Sequence, residues 1–113
     1  MNIQIFGTKK SADTRKAERY FKERRIKYQY IDMKEKGLSK GELQSVAQAA
    51  GGIGALIDPQ SKDEDMLARF RYTDPSQQME LLLENQQLIR QPIVRNGRQA
   101  TVGYEPEIWK NWQ

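Results

Sequence analysis

The chain contains no cysteine and no histidine. Without cysteine it has no disulfide framework, no thiolate nucleophile, and no thiol usage from which to read a redox compartment. Without histidine it also lacks the usual nitrogen and sulfur donors for zinc. The side chain that most often serves as general base to a serine nucleophile is missing too. Carboxylates remain as ligands for magnesium or calcium, but none of them is spaced like such a site. No metal and no cofactor are therefore expected. No apolar run approaches the length of a membrane span, and the first residues lack the apolar core of a signal peptide. The expectation is a cytoplasmic protein that makes no use of a membrane.

What is present is ordinary in amount and uneven in placement. With 113 residues the chain is long enough for one core without staples, and a single domain over 1–113 is expected. Hydrophobic residues make up 37% and charged residues 30%, as in a polar-surfaced globular domain. The net charge of +4 is concentrated: residues 1–40 hold 12 Lys and Arg against 5 Asp and Glu, whereas 41–113 hold 7 against 10. A basic half suits an acidic partner, nucleic acid or a small oxyanion, and it is equally what a lysine-solvated helix face looks like.

The most informative stretch is Ile3-Gln-Ile-Phe-Gly-Thr-Lys-Lys-Ser-Ala-Asp-Thr-Arg-Lys-Ala17. Ile3 and Ile5 share one face of a short strand that Phe6 closes. Gly7 permits a sharp exit, and Ser11 or Asp13 can cap the helix that follows, by accepting a bond from a free first-turn N–H. A strand feeding directly into a helix N-terminus brings unpaired N–H donors and a positive dipole end to the sheet edge, which is an anion site by default. Lys9, Lys10, Arg15 and Lys16 surround it with positive charge.

Residues 13–25 read as a helix with Ala17, Tyr20, Phe21 and Arg24 at helical spacing, and Glu18–Lys22 as a favourable i,i+4 pair. Tyr28–Asp32 alternates as a second strand, with Tyr28 and Tyr30 on one face and Ile31 behind. Strand, helix and strand at this length imply a right-handed crossover and parallel pairing. Ser39-Lys-Gly-Glu42 has the form of a capping box, and its helix carries Leu43, Val46 and Ala47 before stopping at Gly51-Gly52. That glycine pair is too short for a phosphate loop. Residues 60–74 read as an irregular helical insertion anchored by Met66, Leu67, Phe70 and Tyr72. Asp74-Pro75 starts a helix with Met79, Leu82 and Leu83 as its stripe. Pro92 precedes a β-branched strand, Asn96-Gly97 is a hairpin turn, and Ala100–Val102 returns. Glu105-Pro106 opens a last helix whose Ile108, Trp109 and Trp112 can pack on the sheet, the tryptophans reading as core before they read as a stacking platform.

The opening stretch resembles the arsenate reductase (ArsC/Spx) family of thioredoxin-like proteins. Phe6-Gly7, Lys9 and Arg15-Lys16-Ala17 fit that pattern without a gap. The βαβ, helical insertion, ββα order extends the resemblance over nearly the whole chain. It implies an α/β, thioredoxin-like fold: a four-stranded mixed sheet with a helical insertion between strands 2 and 3. The strands are expected near 2–6, 28–32, 92–95 and 99–102. It also implies that Pro92 is cis and faces the nucleophile loop. By the same resemblance the nucleophilic Cys position is Ser11 and the optional second Cys position is Thr14. The anion ligands would be Lys9, Lys10, Arg15 and Arg90. Two positions depart from the pattern. The family's Arg directly before the cis-Pro is here Gln91, and a one-residue slip is expected to turn Arg90 to the other face. Asp58 stands near the position of a further Arg of the reductases.

A serine hydroxyl needs an adjacent base to act as a nucleophile, so Ser11 reads first as a helix cap. Either the protein is a naturally thiol-free member, or Ser stands in place of a reactive Cys or selenocysteine. The resemblance implies two functions. One is a glutaredoxin-like arsenate reductase acting on a small oxyanion or a thiol/disulfide substrate, with glutathione or a thiol protein as partner, inactive as written. The other is a non-catalytic regulator of the Spx kind that binds RNA polymerase. Direct nucleic-acid binding ranks last, because no motif supports it.

Overall fold

The computed structural model describes residues 1–112. Strand β1 (Ile3–Gly7) leads to helix α1 (Ala12–Glu23) and strand β2 (Tyr28–Asp32). Helices α2 (Lys40–Ala50), α3 (Glu64–Tyr72) and α4 (Pro75–Glu84) follow, with short 3-10 turns at Ile53–Leu56 and Gln86–Leu88. Strands β3 (Ile93–Asn96) and β4 (Gln99–Val102) and helix α5 (Pro106–Trp109) complete the described residues. The sheet order is β2-β1-β3-β4, with β1 and β2 parallel and the other two pairings antiparallel. This is the four-stranded mixed sheet with a helical insertion that the resemblance implies.

The alternation in β1 divides the core. Ile3 and Ile5 face one side with Ala17, Tyr20, Phe21, Val94, Trp109 and Trp112, under α1 and α5. Phe6 faces the other side with Leu43, Val46, Leu56, Leu82 and Ile93, under α2 and the insertion. β2 obeys the same rule: Tyr28 and Tyr30 go with the first cluster and Ile31 with the second. Tyr20, Phe21 and Trp109 meet at ring-centroid distances of 5.0 to 5.2 Å. Trp109 closes that cluster with a buried hydrogen bond from Nε1 to Thr101 Oγ1 at 2.7 Å, so its polar atom is satisfied as well as its ring.

The local stop and start signals act as their chemistry dictates. Ser39 and Glu42 form the reciprocal capping box of α2, and Gly51 ends that helix at φ 92°. Asp74 caps α4 with Pro75 in its first turn. Asp63 caps α3, ordering the stretch that reads as irregular in the sequence.

Several expectations are corrected. α1 ends at Glu23 rather than 25, because Arg25 turns the chain at φ 57° and lets Ile26 N–H reach Phe21 O at 2.9 Å. β3 starts at Ile93 because Pro92 has no N–H to give to the ladder. Tyr72 is no anchor but 91% exposed, and Ile108 is 45% exposed while its neighbour Trp109 faces the core. Glu18 does not pair with Lys22; it turns instead to Lys9 and Tyr28.

Candidate functional site

β1 ends at Gly7, and a tight turn, closed by Ser11 N–H to Thr8 O at 3.1 Å, delivers the chain to α1. Ser11 is the N-cap, and Asp13 sits in the first turn. Ser11 Oγ accepts the Thr14 N–H at 3.1 Å. The N–H groups of Ala12 and Asp13, in the first turn, have no partner within the helix and lie at its positive end, and both residues line the adjoining groove.

Beneath this turn lies Thr14. It is fully buried and packed against Gly7 so closely that a Cβ on Gly7 would collide with its hydroxyl. Close approach, and not only a sharp exit, is therefore what requires glycine at position 7. Thr14 Oγ1 has no hydrogen-bond partner. The position that the resemblance gives to a second thiol is thus part of the core and does not line the surface.

The basic residues of the loop separate into two groups. Lys9 turns away from the helix end: its Nζ meets Glu18 Oε1 at 2.5 Å and sits 4.2 Å from the centroid of the Tyr30 ring. The hydrogen bond to Glu18 raises the Lys9 pKa. Tyr28 OH donates to the other Glu18 oxygen at 3.0 Å. Burial and this bond push the Tyr28 phenol up to about 12, and burial followed by the Asp32 charge raises that of Tyr30. Arg15 reaches back to Lys9 O at 2.5 Å and so braces the loop. Only Lys10 of this group lines the adjoining groove.

The opposite wall comes from the segment before β3. The Gln91–Pro92 peptide bond is cis, and Pro92 is buried. Gln91 Oε1 accepts from Thr8 N–H at 2.8 Å and from Thr8 Oγ1 at 3.0 Å, tying the two loops together across the sheet end. Arg90 borders the same groove. Its guanidinium lies against the backbone of Gly103, where a Cβ would meet it at 3.1 Å. The bond from Arg90 N–H to Leu56 O at 2.8 Å fixes this segment to the insertion.

The groove has a volume of about 980 Å³ and runs from the start of α1 to the loop before α3. Its cations are Lys10, Lys62 and Arg90, and its carboxylates are Asp13, Asp58 and Asp63. Three against three is a balanced field rather than the strongly positive one that the loop sequence suggests. Asp63 is occupied by Met66 N–H and Gln87 Nε2, and Asp58 by Gln60 N–H. Lys62 and Asp63 carry no signal in the sequence as site residues. Their position depends on how the insertion folds back. Among the described residues, no three His, Cys, Asp or Glu side chains group as a metal site, and no helix is long and apolar enough to cross a membrane. Chemically, the arrangement offers the N–H donors of the first turn, a hydroxyl held as an acceptor, and charges of both signs.

Known proteins place this geometry. The global transcriptional regulator Spx 2 of Oceanobacillus iheyensis is 29% identical over 109 residues, which cover 95% of this chain and 80% of that protein. The crystal structure of an ArsC family related protein from Bacteroides fragilis matches with a TM-score of 0.84 at 20% identity, covering 97% of this chain and 96% of that one. An arsenate reductase from Vibrio cholerae matches with a TM-score of 0.80 at 23% identity, covering 96% and 94%. The ArsC family model matches residues 6–112, nearly the full length, and the chain belongs to the ArsC family.

Proposed function

We propose that this protein is an ArsC-family member that acts by binding a protein partner and carries out no reduction of its own. The observation that carries this reading is the state of Ser11. In a chain with no cysteine and no histidine, its Oγ accepts the Thr14 N–H, and among the described residues no side-chain base hydrogen-bonds to it. A hydroxyl in that role is a cap, whereas oxyanion or disulfide reduction needs a thiolate. The balanced charge of the groove supports the same reading, with Asp58 near the position of a further Arg in the reductases that the sequence resembles. The 29% identity to a transcriptional regulator points to RNA polymerase as the partner to test first, and with it to a cytoplasmic site of action. The test has two arms. Arsenate turnover is measured with glutathione or a thioredoxin couple as reductant, with no turnover expected. Binding to purified RNA polymerase is measured by interferometry, with a saturable complex expected. Turnover by the chain as written overturns the reading.

A second reading has its own support: the frame around Ser11 is intact. The Ser11 cap, the close Gly7–Thr14 packing and the cis bond before Pro92 support it as the frame in which the resemblance implies a thiol. If the gene encodes Cys or selenocysteine at position 11, the protein is an ArsC-like reductase of a small oxyanion or a disulfide, with glutathione or a thiol protein as partner. Sequencing that codon separates the two.

A further inference from the structure

A second depression lies away from the groove, on the outer side of the first core cluster. Lys16, Arg19, Tyr20, Glu23 and Arg24 of α1 and its exit form one side, and Tyr104 and Pro106 form the other. On α1, Lys16, Arg19, Tyr20 and Glu23 fall at i, i+3, i+4 and i+7, so they present a single face. Resting on the reading of this protein as a partner-binding module, we infer that this α1–α5 cleft is the docking surface for an acidic segment of the partner protein that also carries apolar side chains.

Charge selects the cleft over the groove. The cleft sets three cations, Lys16, Arg19 and Arg24, against the single carboxylate Glu23, whereas the groove at Ser11 is balanced. The ion pairs among the described residues are Lys9–Glu18, Lys40–Glu80, Arg95–Glu42 and Lys110–Glu107, and none of them uses a cleft cation. The cations of the cleft all come from the basic part of the chain, residues 1–40. A partner carboxylate entering here meets positive charge that no intramolecular partner has neutralised.

Apolar surface at the cleft comes from Tyr104 and Pro106. Tyr104 is one of the four large hydrophobic side chains exposed among the described residues, at 37%, and Ile108 on α5 is another, at 45%. The aromatic faces are already occupied. The Arg24 guanidinium lies 3.7 Å from the Tyr20 ring centroid, and Lys16 Nζ lies 5.8 Å from that of Tyr104, whose ring also packs edge-on to Trp109. Single-stranded nucleic acid needs free aromatic faces on which bases stack. Here the faces hold cations in position, which suits carboxylates on a polypeptide.

The probe is a synthetic peptide of repeated Asp-Phe-Glu-Leu units, titrated into the isotope-labelled full chain and followed by backbone amide shifts. Shifts concentrated in Lys16–Arg24 and Tyr104–Trp109 are expected. Binding should weaken about tenfold in Arg19→Glu and fall with added salt. Tyr104→Ala should weaken it by a smaller factor, and the Asn/Gln version of the peptide should not bind. Shifts centred on Ser11 and Arg90, an affinity unchanged in Arg19→Glu, or equal binding of an oligothymidine would each overturn the proposal. The two levels fail separately. Arsenate turnover by the chain removes the partner-binding reading, while a titration that maps to the groove removes only the cleft.

Discussion

Ser11 contributes through one hydrogen bond, and its value is measurable. Ser11→Ala removes the acceptor for the Thr14 N–H and should cost about 1 kcal/mol in a denaturant unfolding curve. Ser11→Cys tests the site itself. The Thr14 N–H, the helix end and nearby Lys10 all favour an anion there, so the thiol should ionise below its ordinary value of about 8.5. The rate of iodoacetamide alkylation against pH reads this directly, and a value at or above 8.5 would mean that the position is a cap alone. One turn deeper, Thr14 presents the opposite case. Its hydroxyl is buried without a partner, a situation that costs roughly 1–3 kcal/mol, so Thr14→Val should leave stability unchanged or raise it by about 1 kcal/mol. A clear loss of stability would show that the hydroxyl is satisfied after all.

Between elements, the junction of α1 with β2 carries two further predictions. Arg25 ends α1 in the left-handed region, a conformation that costs an L-residue roughly 1–2 kcal/mol, of which glycine's greater unfolded entropy returns about 0.5–1 kcal/mol. Arg25→Gly should therefore stabilise the protein by up to about 1 kcal/mol in thermal or urea unfolding. The second prediction concerns pH. Tyr28 is tied to Glu18 across α1 and β2 and titrates at about 12 when folded, against an unfolded value of about 10. The fold thus favours the neutral phenol. Its contribution is complete below about pH 10 and is lost as pH rises toward 12. Lys9 acts in the same direction, because its pKa is raised by the hydrogen bond to Glu18. Urea unfolding across that window should show Tyr28→Phe losing less stability than the parent. An identical slope for the two proteins would deny the linkage.

At the level of the whole molecule, the groove draws its charge from four separate segments: the β1–α1 loop, the start of α1, the loop before α3, and the stretch before β3. Its field is a sum that no single segment sets. Inorganic phosphate titrated in low-salt buffer should bind weakly at Ser11 and Ala12. Lys10→Ala should weaken this binding more than Arg15→Ala, because Arg15 is spent on Lys9 O. Asp58→Asn should strengthen it by removing one of three carboxylates from the groove. Amide shifts or calorimetry give the ranking, and an Arg15→Ala effect larger than that of Lys10→Ala would contradict the groove as described.

The sequence by itself determined the elements and their punctuation. The alternation of Ile3, Ile5 and Phe6, the Ser39–Glu42 box, Asp74-Pro75 and Asn96-Gly97 each act within a few residues, and each appears in the structure where it was read. The frame of the site was legible too, since Ser11 caps α1 and Pro92 precedes β3 with a cis bond. Tertiary structure decided which side chains face the groove. Lys9 and Lys10 are neighbours in an exposed loop, and what separates them is Glu18 and Tyr30, brought beside Lys9 by α1 and β2. Gln91 became the tie between two loops because Thr8, 83 positions away, lies opposite it. Asp58 and Asp63 entered the site only because the insertion folds back over the sheet end. Backbone form follows from nearest-neighbour propensities and caps. The direction of a loop side chain follows from partners that only the folded chain brings within hydrogen-bond reach.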